Sequence, residues 1–443
     1  MTQRLALAIL FGFLAVLALS GRPALAEAPL AYFVDESKLP FDALPGTITR
    51  RYWGVHNGAG YRIEVPENWN GDLVLYAHGF RGAGPDFLEL TVSNPRIRQF
   101  LVTNGYAWAA SSYSKNGYDV KQGVKDTHAL GALFNGLVGH PVRAFITGHS
   151  MGGHITGVAL EQYPQEYAGA MPMCGVMGDN ELFDYFLDFN LVAQALAGIP
   201  AQFPFPALAD YQEVVVPAVK AALGPAYPFV LNAQGANLRG VTQNISGGVR
   251  PAFATSFAAW GNFLFTVGVT GGNIGVAPGN VQDNRDTVYQ IDSDPALSTD
   301  ETTLNASVLR VSMDPQGRHP NGLDGVPTIS GRLPIPVMSL HTIGDLFVPF
   351  SMEQLYARRV AGQGASDRLV SRAIRDHAHC GFNVQEEEAG FADLVNWVDS
   401  GVKPAGDDIL TPATVAAPNF GCTFTTPGHI TPPPFPPFVP CTP

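Results

Sequence analysis

Short apolar runs alternate with amphipathic stretches in two parts of the chain, and the alternation lapses between them. Residues 60–66 alternate as a strand does, and Asp72-Leu73-Val74-Leu75-Tyr76-Ala77 is a buried-strand run ending in His78-Gly79-Phe80-Arg81-Gly82. A helical stretch over 95–104 follows, then a strand at Ala107-Trp108-Ala109-Ala110-Ser111, a helix over 120–137 and a strand from Val142 to Thr147. After a turn at Gly148-His149-Ser150-Met151-Gly152 comes a helix beginning near Ile155, then a strand from Tyr167 to Cys174. The pattern resumes with a strand over 335–341, a helix over 352–361, a strand over 369–374 and a helix over 384–398. Strands alternating with helices in this way predict an α/β fold, a mostly parallel sheet flanked by helices.

Between the two regular parts, residues 176–332 are rich in Phe, Ala, Gly, Asn and Pro and show no clean period. The expected organisation is a core in two pieces, 27–175 and 333–403, interrupted by a large insertion over 176–332. An insertion after a parallel strand lies above the carboxyl ends of the sheet, where ligands bind, so a cap or lid over the site is expected. An independent domain with no part in the site is the alternative. Residues 404–443 form a Pro-rich tail expected to pack as extended chain or stay loose.

Composition narrows the partners. The net charge is −12 and only 14% of residues are charged, which argues against nucleic acid and anionic membrane surfaces and for a neutral or apolar small molecule. Residues 1–26 read as a signal peptide: Arg4, an apolar run from Leu5 to Leu19, and Ala24-Leu25-Ala26 as the cleavage pattern. The mature chain would begin near Glu27 and be secreted or periplasmic. An uncleaved anchor is the alternative, but the apolar run is shorter than the roughly 20 residues a bilayer span takes, so no stable membrane insertion is expected after cleavage. Four cysteines in an oxidising compartment allow three pairings. Position favours Cys174 with Cys380, both at the strand ends that carry the chemistry, and Cys422 with Cys441 closing the tail.

Gly148 to Gly152 is a G-x-S-x-G nucleophile elbow, in which a serine at the apex of a strand-to-helix turn is held strained and exposed between two small residues. A serine hydroxyl is a poor nucleophile at neutral pH and needs a base oriented by a carboxylate. Asp345 lies in the turn after the strand ending at His341, and His379 in the loop after the strand ending at Ile374. In a parallel sheet these loops share an edge with the elbow, and the order Ser150, Asp345, His379 is the one hydrolase elbows use. His377 competes as base but reads as a solvated loop residue. Asp376 and Asp367 compete as acid, the first too near the histidine to face it and the second placed before the last strand. His78 and His149 border the site and read as structural. No cofactor or metal is expected: paired zinc histidines, a phosphate loop and a dinucleotide fingerprint are all missing, and the acids Asp283, Asp286, Asp292, Asp294, Asp300 and Glu301 do not follow calcium-loop spacing.

Over residues 60–175 and 333–400 the chain resembles the α/β-hydrolase superfamily: the elbow, the His78-Gly79-Phe80 oxyanion-loop motif, Gly344-Asp345 followed by Val348-Pro349 as acid loop, and His379 as base. Cys380 beside that histidine is reminiscent of tannases and feruloyl esterases, although His149 precedes Ser150 where those enzymes carry a cysteine. The resemblance implies an oxyanion hole of two backbone amides, from Met151 and from Phe80 or Arg81. It also implies a secreted serine hydrolase that cleaves carboxylic esters through an acyl-enzyme. An amidase or peptidase with the same triad, a polyester depolymerase, and an inactive hydrolase fold used for binding are the alternatives. The substrate would be a small-molecule or polymeric ester; the aromatic group Phe183, Tyr185, Phe186, Phe189, Phe203 and Phe205 either favours an aromatic acyl group or forms the insertion's own core.

Overall fold

The computed structural model describes residues 31–201, 203, 210–268, 280–315, 326–431 and 437–441. Residues 1–26, read above as a signal peptide, and Phe205 lie outside the described residues. An eight-stranded sheet organises the rest, in the order β1-β2-β4-β3-β5-β6-β7-β8. Its strands are β1 (Thr49–His56), β2 (Ala59–Pro66), β3 (Asp72–Ala77), β4 (Ala107–Ser111), β5 (Arg143–His149), β6 (Gly169–Met173), β7 (Val337–Thr342) and β8 (Leu369–Ile374). From β4 to β8 all neighbours are parallel, while β1 and β2 close one edge as an antiparallel hairpin. Strand β1 is absent from the sequence reading because it is a half-exposed edge strand without the apolar run that marks the others. Its signal was the Asn57-Gly58 pair, both at positive φ, as a tight hairpin turn requires.

The central strands are buried on both faces, and their alternation sorts the core. In β3, Leu73, Leu75 and Ala77 point to one layer, with α2 (Val120–Leu137), α3 (Met151–Gln162) and α9 (Phe350–Gly362); Val74 and Tyr76 point to the other, with α1 (Arg98–Thr103) and α10 (Val384–Ser400). The helices and strands of the two regular parts thus fall where the apolar pattern put them, with shifts of a few residues at their ends.

Among the described residues of the irregular segment between β6 and β7 are five α-helices: α4 (Glu181–Leu196), α5 (Val216–Leu223), α6 (Ala233–Ile245), α7 (Phe253–Trp260) and α8 (Thr299–Ser307). Helix α4 gave no amphipathic period because residues 182–194 are buried on every side, and a helix buried all round has no polar face to mark it. Phe183, Tyr185, Phe186 and Phe189 are therefore part of a packed core. Among the acids of this segment, Glu301 closes a capping box with Ser298, and Asp283 pairs with Arg285.

Of the two expectations for the C-terminal segment, packed or loose, the described residues are packed. It carries a short helix, α11 (Pro412–Val415), and Ile409, Val415, Phe420 and Phe438 are buried against Ile343, Phe350 and Ala373. The prolines limit regular structure but not burial, so the chain packs by side chains instead. Both disulfides are formed, Cys174 with Cys380 and Cys422 with Cys441. No helix among the described residues is long and apolar enough to cross a membrane.

Candidate active site

Ser150 stands alone between β5 and α3, with φ 58° and ψ −121°. A side chain in that region costs about 1–3 kcal/mol and persists only where its surroundings enforce it. Here the enforcement is close backbone packing. A Cβ on Gly148 would come within 2.2 Å of the Gly152 carbonyl oxygen, and one on Gly152 within 2.0 Å of the Ala77 oxygen. The Ser150 amide donates to the Met173 carbonyl (3.0 Å), fixing the turn to the end of β6. Met151 is buried and begins α3 directly after the serine.

The loop after β3 runs beside this turn. A Cβ on Gly79 would lie 3.2 Å from Ser150 Cβ and 3.7 Å from its Oγ, so the loop backbone passes the hydroxyl at contact distance. His78 anchors the loop: its ring stacks on Tyr113 (4.1 Å between centroids), and Nε2 donates to the Ser112 carbonyl (3.1 Å). Burial, with the neighbouring Arg81 guanidinium, lowers the imidazole to about 4; its Nδ1 lies 2.7 Å from the Gly79 carbonyl oxygen and 3.2 Å from Arg81 Nε. Phe80 is 37% exposed and faces Tyr118.

Asp345 and His379 are brought together. His379 Nδ1 lies 2.6 Å from Asp345 Oδ2, and the other carboxylate oxygen accepts the amides of Phe347 (2.8 Å) and Val348 (3.1 Å). The acid is fully buried, and the imidazole side chain is 18% exposed. Nε2 of His379 is buried without a hydrogen-bond partner among the described residues. The loop of Asp345, the candidate acid, is stitched to that of His379, the candidate base (the base loop below), with Gly344 N donating to the Asp376 carbonyl (2.8 Å) and Thr342 Oγ1 to that of Ala378 (3.0 Å).

The helical segment between β6 and β7 packs on both loops. Tyr185 donates its hydroxyl to the Leu346 carbonyl (3.0 Å) and Trp260 its indole N–H to that of His377 (2.6 Å). Arg250, wholly buried, donates Nε to the Ile343 carbonyl. Burial pulls this guanidinium down to about 10, against the opposing pull of Tyr185 and Asp345. Phe347 meets the His379 ring edge to face (5.1 Å), and Phe263 meets Phe347 (5.0 Å).

The disulfide from Cys174, at the end of β6, to Cys380 ties the base loop beside the elbow, and a ring nitrogen of His379 lies within 4.8 Å of both sulfurs. A second tie is ionic. Arg96 pairs with the buried Glu387 (2.8 Å) and donates to the carbonyls of Cys380 and Phe382, while Glu387 also meets His149 Nε2 at 3.2 Å. His149 thus turns away from the hydroxyl, with Nδ1 on the Tyr76 hydroxyl (3.2 Å).

His377 is fully buried rather than solvated, its ring packed against Phe438 of the C-terminal segment. Asp376 is also buried, and its Oδ1 accepts the amide of Ala378 (2.7 Å). Asp367 is exposed in the turn before β8. The residues that sequence reasoning missed, Arg96, Arg250, Glu387 and Phe347, carry no local motif. Three of them are ordinary charged side chains whose partners lie far along the chain, as Glu387 does from Arg96.

No family model matches the chain. It is similar to an o-phthalyl amidase from Xanthobacter agilis, 21% identical over 443 aligned residues that cover 84% of this chain and 92% of the relative. Among solved structures, feruloyl esterase B from Aspergillus oryzae superposes with a TM-score of 0.50 at 12% identity, over 85% of this chain and 86% of that one. Another esterase from Aspergillus oryzae gives 0.47 at 13% identity, over 80% and 81%. With a sheet of this order and an elbow between β5 and α3, the chain has the α/β-hydrolase fold.

Proposed function

We propose that the protein is a secreted serine hydrolase that cleaves carboxylic esters through an acyl-enzyme. The observation that carries this reading is the Asp345–His379 hydrogen bond, which leaves Nε2 buried and unpartnered at the sheet edge that presents Ser150. Asp345 fixes the tautomer in which Nδ1 bears the proton and Nε2 is free to accept one. Ser150 Oγ attacks the acyl carbon as Nε2 takes its proton. The imidazolium, stabilised by Asp345, then protonates the leaving alcohol, and water repeats the sequence to release the acid. The amides of Met151 and Phe80 hold the oxyanion. Gly79 supports that role, because its lack of a side chain lets the Phe80 loop run against the serine.

In this reading residues 176–332 are the cap, since Tyr185, Arg250 and Trp260 all bear on the two catalytic loops. Phe347 and Phe263, both only partly buried beside His379, and the exposed Phe80 favour an aromatic acyl group. The names of the two relatives, phthalyl and feruloyl, point the same way. Amide hydrolysis with the same triad is the second reading, favoured by the amidase relative that spans nearly the whole chain. Export is favoured by the leader and by two disulfides.

The test is turnover of p-nitrophenyl benzoate and acetate beside the matching anilides and a phthalic monoamide, with wild type and Ser150→Ala. Ester turnover that vanishes in the variant is expected, with benzoate favoured over acetate. Turnover of amides alone would replace the ester reading with the amidase one, and turnover that survives the substitution would remove Ser150 from the chemistry.

A further inference from the structure

Beyond α10 the chain returns to the base loop and is bonded to it along its length. Arg375 donates its amide to Thr425 Oγ1 (2.8 Å) and its guanidinium to the carbonyls of Pro418 and Phe420. At the centre is His429, whose side chain is 5% exposed. Its Nε2 lies 2.6 Å from Asp376 Oδ2, and its Nδ1 lies 2.9 Å from Glu386 Oε1; both carboxylates are fully buried. Neither acid is a bystander. Asp376 bonds the Ala378 amide inside the base loop, and Glu386 closes the capping box that starts α10 and accepts the Thr426 amide (2.9 Å).

An imidazole set between two carboxylates satisfies both only as the imidazolium, which offers an N–H from each nitrogen. A neutral ring would turn a lone pair toward one acid and leave two buried negative charges without a cation between them. We propose that His429 is a positioning residue of the active site: as a cation bridging Asp376 and Glu386, it clamps the C-terminal segment to the loop that carries His379 and so keeps that imidazole seated on Asp345. The inference rests on the reading of Asp345 and His379 as acid and base.

Other ionisable neighbours are occupied elsewhere. Arg375 is spent on the tail carbonyls, the His377 ring packs on Phe438, and Glu387 pairs with Arg96. Burial alone would lower the His429 titration, but the bonds to Asp376 and Glu386 and their negative charge outweigh it and raise it from 6.5 to about 9. A raised folded value means the clamp is complete below pH 6.5 and is lost as pH rises through about 9.

The test uses the full chain, with hydrogen exchange and steady-state kinetics from pH 6 to pH 10. In wild type, protection of residues 376–386 and 425–431 should fall above about pH 9, relative to strands β3 and β5, and kcat should fall with it. His429→Gln should show the loosened pattern already at pH 7, a kcat lower by about 10- to 100-fold with KM little changed, and no alkaline limb of its own. If that variant does not fold, Glu386→Gln serves instead: one carboxylate fewer should move the wild-type limb to lower pH. Unchanged protection at 376–386 in a folded His429→Gln protein would overturn the clamp. Lost protection with unchanged kcat and pH profile would overturn its positioning role. Full activity in Ser150→Ala would instead sink the active-site reading, leaving the exchange arm to decide the clamp.

Discussion

Around Ser150 the contacts that set the geometry are backbone contacts within the turn or with adjoining strands: Gly148 against Gly152, Gly152 against Ala77, Ser150 N on Met173 O. Around His379 the contacts are side chains from far along the chain, namely Asp345, the Cys174 sulfur, Arg96 and Phe347. The elbow is therefore rigid by exclusion, while the base loop, beyond its backbone bond from Gly344, depends on several separate partners staying in place. Excluded volume needs no partner and survives changes of pH or redox state; side-chain ties are each removable by one substitution or one change of conditions. A serine strained by its fold and a histidine held by remote parts are thus two different engineering problems at one sheet edge.

This contrast can be broken from either side. The largest effect is expected from Asp345→Asn, which leaves the loop shape in place but turns the imidazole to the wrong tautomer. It should lower kcat by about 10⁴-fold with an unchanged unfolding midpoint, read by ester kinetics beside thermal denaturation. Next is the elbow: Gly152→Ala forces a Cβ to 2.0 Å from a backbone oxygen, and should cost upwards of about 3 kcal/mol in denaturant unfolding, or abolish folding. Removing the Cys174–Cys380 bridge as a paired alanine variant should cost about 2–5 kcal/mol, and exchange should rise at 376–383 while β5 and the elbow stay protected. Smallest among these is Glu387→Gln, which leaves Arg96 and His149 without their shared carboxylate and should cost about 1–3 kcal/mol with a modest fall in kcat. An elbow that loosens together with the base loop in either of the last two variants would contradict the comparison.

The same division decides what could be read from the sequence. The elbow, the His78-Gly79-Phe80 loop and the central strands were legible because each is specified locally: Gly-x-Ser-x-Gly is its own steric rule, and β3, β5 and β7 are largely apolar runs. Asp345 and His379 were legible through position, as the residues that follow strands on one edge. Edge strand β1 was missed because half of it faces solvent, and α4 because all of it faces protein; periodicity fails at both extremes. Arg250, Arg96, Glu387 and His429 were beyond reach, since a buried polar contact or ion pair is a property of two distant residues and neither one announces it. His377 was misread for a related reason: its ring packs on Phe438, in a Pro-rich segment with no period to place it.

The most direct test of the central claim, that Ser150 is a nucleophile activated by His379 and Asp345, is covalent trapping with a p-nitrophenyl phosphonate followed by peptide mass mapping. The account predicts one equivalent of adduct in wild type, on Ser150, formed about 10³-fold or more slowly in a folded His379→Ala variant. A folded wild-type protein that takes no adduct, or carries it on another residue, would contradict it.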